Sequence, residues 1–459
     1  MKFLLTAHQF FPEFSAGTEV LTRSVARELI ARGHQVHVFT GFPTQQTLQD
    51  HQRLDEYDLD TIHVYRFHHA YTPMGGQTSS VALGYDNHLA VHYFQEVLRR
   101  FGPDIVHFFH LNRLGTGLID AAVAAGIPAF FTPTDFWAVC PTARLALPGG
   151  EQCSGPGVNA ANCIKHFAQS ATAARGGFSS KVVQALPAPA VGVLVRLSRA
   201  GLLPRHRLHH EIQAMGNRLG TNVARLNRLT RIVAPNRFMR DALVAQGVLP
   251  DKIVEASYGI EPAAGAGQPR PARRLASPSA VGMPPLRVAF IGTLGEFKGC
   301  HILIQAFLRL PADLATLQIF GSPHDFPAYA ASLQAQAQGH PNITFGGVFP
   351  NESIDQVLSE VDVLVVPSLW FENTPLVVYS AQAAQCVVVG SRYAGIEAAV
   401  RHDVDGLLFE PGDITALVNQ VRRLAQDRAL LQRLRAAAPQ PKPTAQYVDE
   451  LLATWGQPV

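Results

Sequence analysis

The chain is short of charge, of cysteine and of long apolar runs, and each shortage excludes something. Charged residues make up 16% of the 459 and the formal net charge is +3, with no block of like charges long enough to form a basic arm. A nucleic-acid partner is therefore not expected. No apolar stretch reaches the ~18 residues that a membrane-crossing helix needs. No signal-peptide pattern follows Lys2, because a strand-like run from Phe3 to Ala7 begins at once. A cytoplasmic location is expected. Five cysteines are an odd number for a disulfide framework, and in a reducing compartment they are thiols or metal ligands. From Gln152 to His210 there is no Asp or Glu at all.

What is present is enough for two cores, since 47% of the residues are hydrophobic and single cores stop growing near ~250–300 residues. Strand-like and helix-like segments alternate. Strands are expected at Lys2 to Ala7, from Arg32 to Phe39, and at Thr61 to Phe67, Asp104 to His110 and Pro128 to Pro133. A helix from about Thr18 to Arg32 ends at Gly33, and another runs from about Thr116 to Ala125. Arg231 to Phe238 resumes the pattern, and Lys252 to Ile260 closes it. Residues 261–286 are rich in Pro, Ala and Gly and read as a linker, after which Arg287 to Ile291 starts a second domain. The fold class is α/β, with parallel sheets.

Three places carry candidate chemistry. In Val361 to Val389 an apolar strand breaks at Pro367 and Ser368, a loop carries Glu372 and Asn373, and a helix opens on Thr374 and Pro375, read as a cap followed by a first-turn proline. Ligands of open α/β sheets bind outside the carboxyl ends of the strands, and helix N-termini there suit a diphosphate. Gly292 to Gly299 follows a strand, so that glycines permit close approach and Lys298 supplies a cation. Asp135, after the strand ending at Pro133, is either a ligand-orienting carboxylate or a helix cap. Separately, Cys140, Cys153, Cys163 and His166 form a C-x12-C-x9-C-x2-H series. Four such ligands would make a closed structural zinc site, whereas the bland alternative is unlinked thiols in a loop.

Several of these segments resemble the retaining glycosyltransferases of family four, built on the GT-B fold of two Rossmann-like, doubly wound domains. The Glu-Asn-x-Pro-Leu-Val at Glu372 to Val377, preceded by Val366 to Ser368, is similar to that family's donor-site signature. Its second glutamate, expected eight residues on, is Ser380 here. Ala16-Gly17-Thr18-Glu19 resembles the family's Gly-Gly-x-Glu, with Gly17 left to approach the donor phosphates. Gly292 to Gly299 resembles Gly-Arg-Leu-x-x-x-Lys-Gly, with Lys298 matching the diphosphate-binding lysine and Thr293 in place of the arginine. Thr134 to Pro141 resembles an acceptor-side His-Asp-Phe/Tyr-Trp-x-x-Cys-Pro, with Thr134 in place of the histidine and Asp135 kept. Ala394 to Ile396 and Asp405 to Asp413 match closing motifs.

The resemblance implies a first domain over 1–260 on the acceptor side, with a helical insertion near 165–230. It implies a linker over 261–286, a donor-binding domain over 287–437, and a last segment over 438–459 whose helix crosses back to the first domain. It implies transfer of a sugar from a nucleotide diphosphate sugar with retention. Glu372, Lys298 and Asp135 would be catalytic, and Gly17, Val348, Asn373, Thr374, Pro375, Leu376 and Ser380 would contact the donor with Lys298 and Glu372. No cofactor is required, because a lysine and helix N-termini can do what a metal does elsewhere. The replacements at Thr134, Thr293 and Ser380 leave two other readings open, a non-catalytic nucleotide-sugar-binding partner or a sugar-nucleotide epimerase. The acid-free segment, with Val191 to Leu203 among arginines, has the composition of a helix lying on an anionic membrane surface. That suggests a glycan or lipid-linked acceptor in polysaccharide biosynthesis at the inner face of the membrane. Packing on its own domain is the other reading of that segment, and Pro187, Pro189, Gly192 and Gly201 argue against one long helix.

Overall fold

A computed structural model of the protein describes residues 1–70, 72–147, 151–167, 186–202, 209–261 and 284–457. Most of the expected linker, with its Arg270 to Arg274 patch, lies outside the described residues. So do Arg175, Lys181, Leu203, Arg205 and Arg207 of the basic stretch. The chain divides into two compact units, 1–257 with 448–459 and 258–447. The first boundary falls at Tyr258, and the second falls inside the last helix.

In the first unit β1 (Lys2–Ala7), β2 (Gln35–Pro43), β3 (Leu54–Leu59), β4 (Ile62–His69), β5 (Ile105–Phe108), β6 (Ala129–Phe131), β7 (Arg231–Ala234) and β8 (Ile253–Glu255) form one sheet. Its order is β3-β4-β2-β1-β5-β6-β7-β8. Neighbours are parallel except β3 and β4, an antiparallel edge pair that periodicity did not reveal. Phe3, Leu4 and Leu5 are fully buried in succession, the continuous apolar run of a strand covered on both faces. Helix α1 (Gly17–Ala31) follows β1 and is ended by Arg32 and Gly33, whose φ of +84° only glycine adopts at no cost.

The insertion is two described helices, α2 (Ala188–Arg199) and α3 (His209–Leu226). Pro187 stands at the cap of α2, Pro189 in its first turn and Gly201, at φ +71°, just past its end, while Gly192 lies within the helix. Helix α3 buries Ala214, Met215, Arg218, Asn222 and Leu226. Asn222 donates to the Ala138 carbonyl at 2.8 Å and accepts from the Thr116 hydroxyl at 2.9 Å, which fastens the insertion to its own unit.

In the second unit β9 (Leu286–Ile291), β10 (Ala315–Phe320), β11 (Ile343–Gly347), β12 (Val363–Val366), β13 (Val387–Ser391) and β14 (Gly406–Phe409) form an all-parallel sheet, ordered β11-β10-β9-β12-β13-β14. Helix α4 (Cys300–Phe307) follows β9 and α5 (Leu376–Ala383) follows β12. The last helix, α6 (Thr444–Thr454), leads to Trp455, which packs on Phe3 at 5.1 Å between ring centroids. The Trp455 indole N–H donates to His107 Nδ1 at 3.1 Å. His107 is fully buried, its Nε2 lies 2.9 Å from the Thr132 hydroxyl, and burial pushes its pKa down to about 3.

Candidate functional site

Among its parallel strands each sheet reverses its order once, and ligands of open α/β sheets bind at such switch points. In the second unit the reversal lies between β9 and β12, and the loops leaving these two strands carry Lys298 and Glu372. Lys298 closes a 3-10 turn, Glu296–Lys298, before Gly299 at φ +71°. A Cβ on Gly299 would stand 1.9 Å from the Pro367 carbonyl oxygen, so glycine is what lets the two loops touch. Gly395 does the same from behind, because a Cβ there would lie 1.9 Å from the Glu372 carbonyl and 2.0 Å from that of Asn373.

The side chains meet as the loops do. Lys298 Nζ donates to Glu372 Oε1 at 2.6 Å, and the Ser368 hydroxyl and Trp370 indole N–H each donate to the same oxygen at 2.7 Å. The Lys298 ammonium also stands 4.9 Å from the centre of the Trp370 ring. Glu372, Asn373 and Thr374 are buried, and Asn373 donates to the Tyr258 hydroxyl at 2.8 Å. Ser368 and Trp370 were not singled out from sequence, since a serine and an indole next to a strand end carry no signal until their hydrogen bonds are seen.

One expectation about this loop needs correction. The helix starts at Leu376, with Pro375 in the capping position and no side-chain cap. The Thr374 hydroxyl instead donates to the Asn373 carbonyl at 2.7 Å, because a residue before proline is held out of helical geometry. The Ser380 side chain is buried and donates back to the Leu376 carbonyl at 3.3 Å, so its hydroxyl is engaged with its own helix. Val348 is 70% exposed beside Gly347 at φ +67°, and Gly17 is exposed at the first position of α1.

The first sheet reverses between β1 and β5. Directly after these strands come His8 and His110, whose rings stand 4.1 Å apart between centroids. Asp135, after β6, places Oδ2 at 2.9 Å from His110 Nε2 and accepts the Trp137 amide on Oδ1 at 2.7 Å, a turn-forming bond two residues along the chain. Glu19, in the first turn of α1, is fully buried with Oε1 at 3.7 Å from His8 Nδ1. Burial pushes its pKa up to about 7 against the lowering pull of its own amide, His110, Gln9 and the Ala16 amide. Burial likewise holds His8 well below the usual imidazole range, helped by His110 and Arg113. The Thr134 hydroxyl accepts from Thr18 at 2.8 Å and donates to the Phe109 carbonyl at 3.2 Å. Asp135 was legible from sequence; His8 and His110 were not.

Cys140, Cys153, Cys163 and His166 line one small cavity of about 10 Å³. Two of the sulfurs have other partners, Cys140 Sγ the Thr142 hydroxyl at 3.3 Å and Cys153 Sγ the Gly155 carbonyl at 3.7 Å. Burial pushes the Cys163 thiol up to about 12, with Cys140 and Cys153 adding to it. Among the described residues no three His, Cys, Asp or Glu side chains are gathered so as to hold a metal ion. The four residues as they stand therefore do not fit the closed zinc site that their spacing suggested.

Sequence profiles place these features in a family. The profile of glycosyl transferases group 1 matches residues 285–427, and that of glycosyltransferase family 4 matches 15–150. The amylovoran biosynthesis glycosyltransferase AmsK of Erwinia amylovora is 29% identical over 201 residues, which cover 42% of this chain and 47% of AmsK. The UDP-Gal:alpha-D-GlcNAc-diphosphoundecaprenol alpha-1,3-galactosyltransferase of Escherichia coli is 35% identical over 77 residues, 17% of this chain and 20% of that one. This chain thus matches about half or less of the length of these relatives. The crystal structure of Anabaena HepE with UDP and glucose is similar in fold, with a TM-score of 0.61, 16% identity and 99% of each chain covered.

Proposed function

The chain belongs to the group 1 glycosyltransferases of family four, and from that premise we propose that it moves a sugar from a nucleotide diphosphate donor to an acceptor with retention of configuration. The observation that carries this reading is the meeting of Lys298 with Glu372 at the switch point of the second sheet. A donor diphosphate reaching this crevice competes with Glu372 for the ammonium. Lys298 then stabilises the negative charge that develops on the leaving diphosphate, while Ser368 and Trp370 keep Glu372 in place to receive a sugar hydroxyl. Asn373, Thr374, Pro375, Leu376, Ser380 and Val348 line the remainder of the donor crevice in this reading. No metal takes part in any of these steps. Gly17 and Asp135 border the first crevice, where the acceptor is received.

The acceptor is a surface or lipid-linked glycan, met at the inner face of a membrane. Two observations support this: one relative is named for a diphosphoundecaprenol acceptor, and α2 exposes Val193 at 57% and Leu194 at 42%, followed by Leu202 at 71%, with Arg196 exposed beside them. Among the described residues no helix is long and apolar enough to cross a membrane, so contact would be at the surface. Sedimentation with phosphatidylserine vesicles should show binding at low salt that fades as salt rises, since the attraction is screened within ~10 Å at 0.1 M. Binding that Val193→Asp with Leu202→Asp leaves intact would take this face out of the proposal.

Donor binding is tested by melting the protein with UDP, GDP and ADP. A diphosphate at 100 times its Kd stabilises the native state by about 2.7 kcal/mol, so one of the three should raise Tm by several degrees. If none does, and none of the matching sugar donors is turned over, the transferase reading fails.

A further inference from the structure

We propose that His110 is a positioning residue for the acceptor hydroxyl, holding the Asp135 carboxylate from within the protein while its ring is braced on His8 above Glu19. This role presupposes that the first crevice receives the acceptor. The four residues leave three different elements, β1, β5 and β6, and the first turn of α1, yet they converge on the one point where the first sheet reverses its order. His8, His110 and Asp135 all stand just beyond the carboxyl ends of their strands.

The hydrogen bonds assign a direction. The Asn112 amide donates to His110 Nδ1 at 3.1 Å, so the ring proton of the neutral imidazole resides on Nε2, which faces Asp135 Oδ2 at 2.9 Å. His110 is 4% exposed and does not reach solvent, whereas Asp135 is 26% exposed. Each Asp135 oxygen has one partner, the Trp137 amide or His110, and each keeps a lone pair for a hydroxyl arriving from the open side. Thr134 cannot replace His110, since its hydroxyl is committed to Thr18 and Phe109.

A purely structural cluster would be expected to satisfy itself, because buried polar atoms almost always find partners. Here His8 Nδ1, His110 Nε2 and Arg113 Nε are buried without a well-formed hydrogen bond among the described residues. The His110 to Asp135 approach is close but bent, the geometry that tightens when a ligand arrives. The charged groups around it are Arg113, which acts on His8, and buried Arg218 of α3, whose guanidinium donates to the Trp137 carbonyl.

Release of UDP, GDP or ADP from the matching hexose donors is measured with water and with octyl glucoside as acceptors. For His110→Ala we expect an unchanged thermal shift with nucleotide diphosphate and an unchanged KM for the donor. Transfer should fall by ~10- to 100-fold, the usual cost of a small misplacement of a reacting group. His110→Gln, whose amide can still donate to Asp135, should recover to within ~3-fold, while the shorter His110→Asn should not. Adding His110→Ala to Asp135→Asn should cost nothing further, because both remove one interaction. If alanine prevents folding, the contrast between glutamine and asparagine decides. Normal transfer by folded His110→Ala, equal transfer by His110→Gln and His110→Asn, or losses that multiply in the double variant would overturn the role. A wild-type protein that binds diphosphate but turns over no donor would instead remove the transfer reading itself, and this role with it.

Discussion

The two crevices are built on the same plan and finished in opposite ways. Both sit where a sheet reverses its strand order. In the second unit the polar groups satisfy one another, three donors closing on a single oxygen of Glu372. In the first unit they converge without closing, with Nδ1 of His8 and Nε2 of His110 lacking a well-formed bond among the described residues. A satisfied ion pair is a preformed site that a ligand enters by exchange, with a diphosphate replacing a carboxylate as the partner of Lys298. An unsatisfied cluster instead buries titratable groups, and burial there disfavours the charged forms of His8 and Glu19.

The largest effect expected of this contrast is catalytic. Lys298→Ala and Glu372→Gln should each lower transfer by at least ~10²-fold while the protein stays folded, as removal of one preorganised electrostatic group does. Near-normal kcat/KM in both folded variants would mean that the closed pair is structural, and the contrast between the crevices would collapse.

Next in size is a pH effect confined to the first crevice. Glu19 titrates at about 7 in the folded protein against 4.5 ordinarily. Between those pH values the folded state keeps a proton that the unfolded state has lost, so stability falls as pH rises through this window and is level above it. Glu19→Gln removes that loss, so it should melt a few degrees above the native protein at pH 8 and close to it at pH 5. A Tm difference that does not change with pH would show that the carboxyl is not held neutral.

The smallest effect concerns the back of the donor crevice. Ser380→Glu would offer a carboxylate to ribose hydroxyls where the native hydroxyl is spent on the Leu376 carbonyl. A charge-assisted bond is worth ~1.5–3 kcal/mol against ~1 for a neutral one, so nucleotide diphosphate should bind ~3- to 30-fold more tightly. Calorimetry showing equal or weaker binding would place the ribose away from α5.

Much of this was open to inspection before any coordinates. Apolar runs such as Phe3 to Leu5 and Val363 to Val366 announced buried parallel strands, because a strand covered on both faces must be apolar at every position. Lys298 and Glu372 were legible because each stands at a strand end beside glycine or proline, where a local pattern and a chemical role coincide. The antiparallel β3 was not, since Leu54–Leu59 reads LDEYDL and is largely exposed, with little apolar signal to give. The cap expected at Thr374 failed because the helix begins at Leu376 with Pro375 in the capping position, and the Thr374 hydroxyl turns back to the Asn373 carbonyl.

Sequence alone therefore determined which segments become the buried parallel strands, where the ligand-bearing loops begin, and that Lys298 and Glu372 belong to one class of site, because these follow from periodicity and local backbone chemistry. Tertiary structure alone decided the partners. It gave the Cys140 sulfur the Thr142 hydroxyl as a partner, fastened α3 to its own unit through Asn222, and brought His8, Glu19, His110 and Asp135 to one point from positions up to 127 residues apart in the chain. The physical reason is that which strands become neighbours, and which side chains then meet beyond their ends, is set by the packing of whole sheets, whose free energy no short stretch of chain contains.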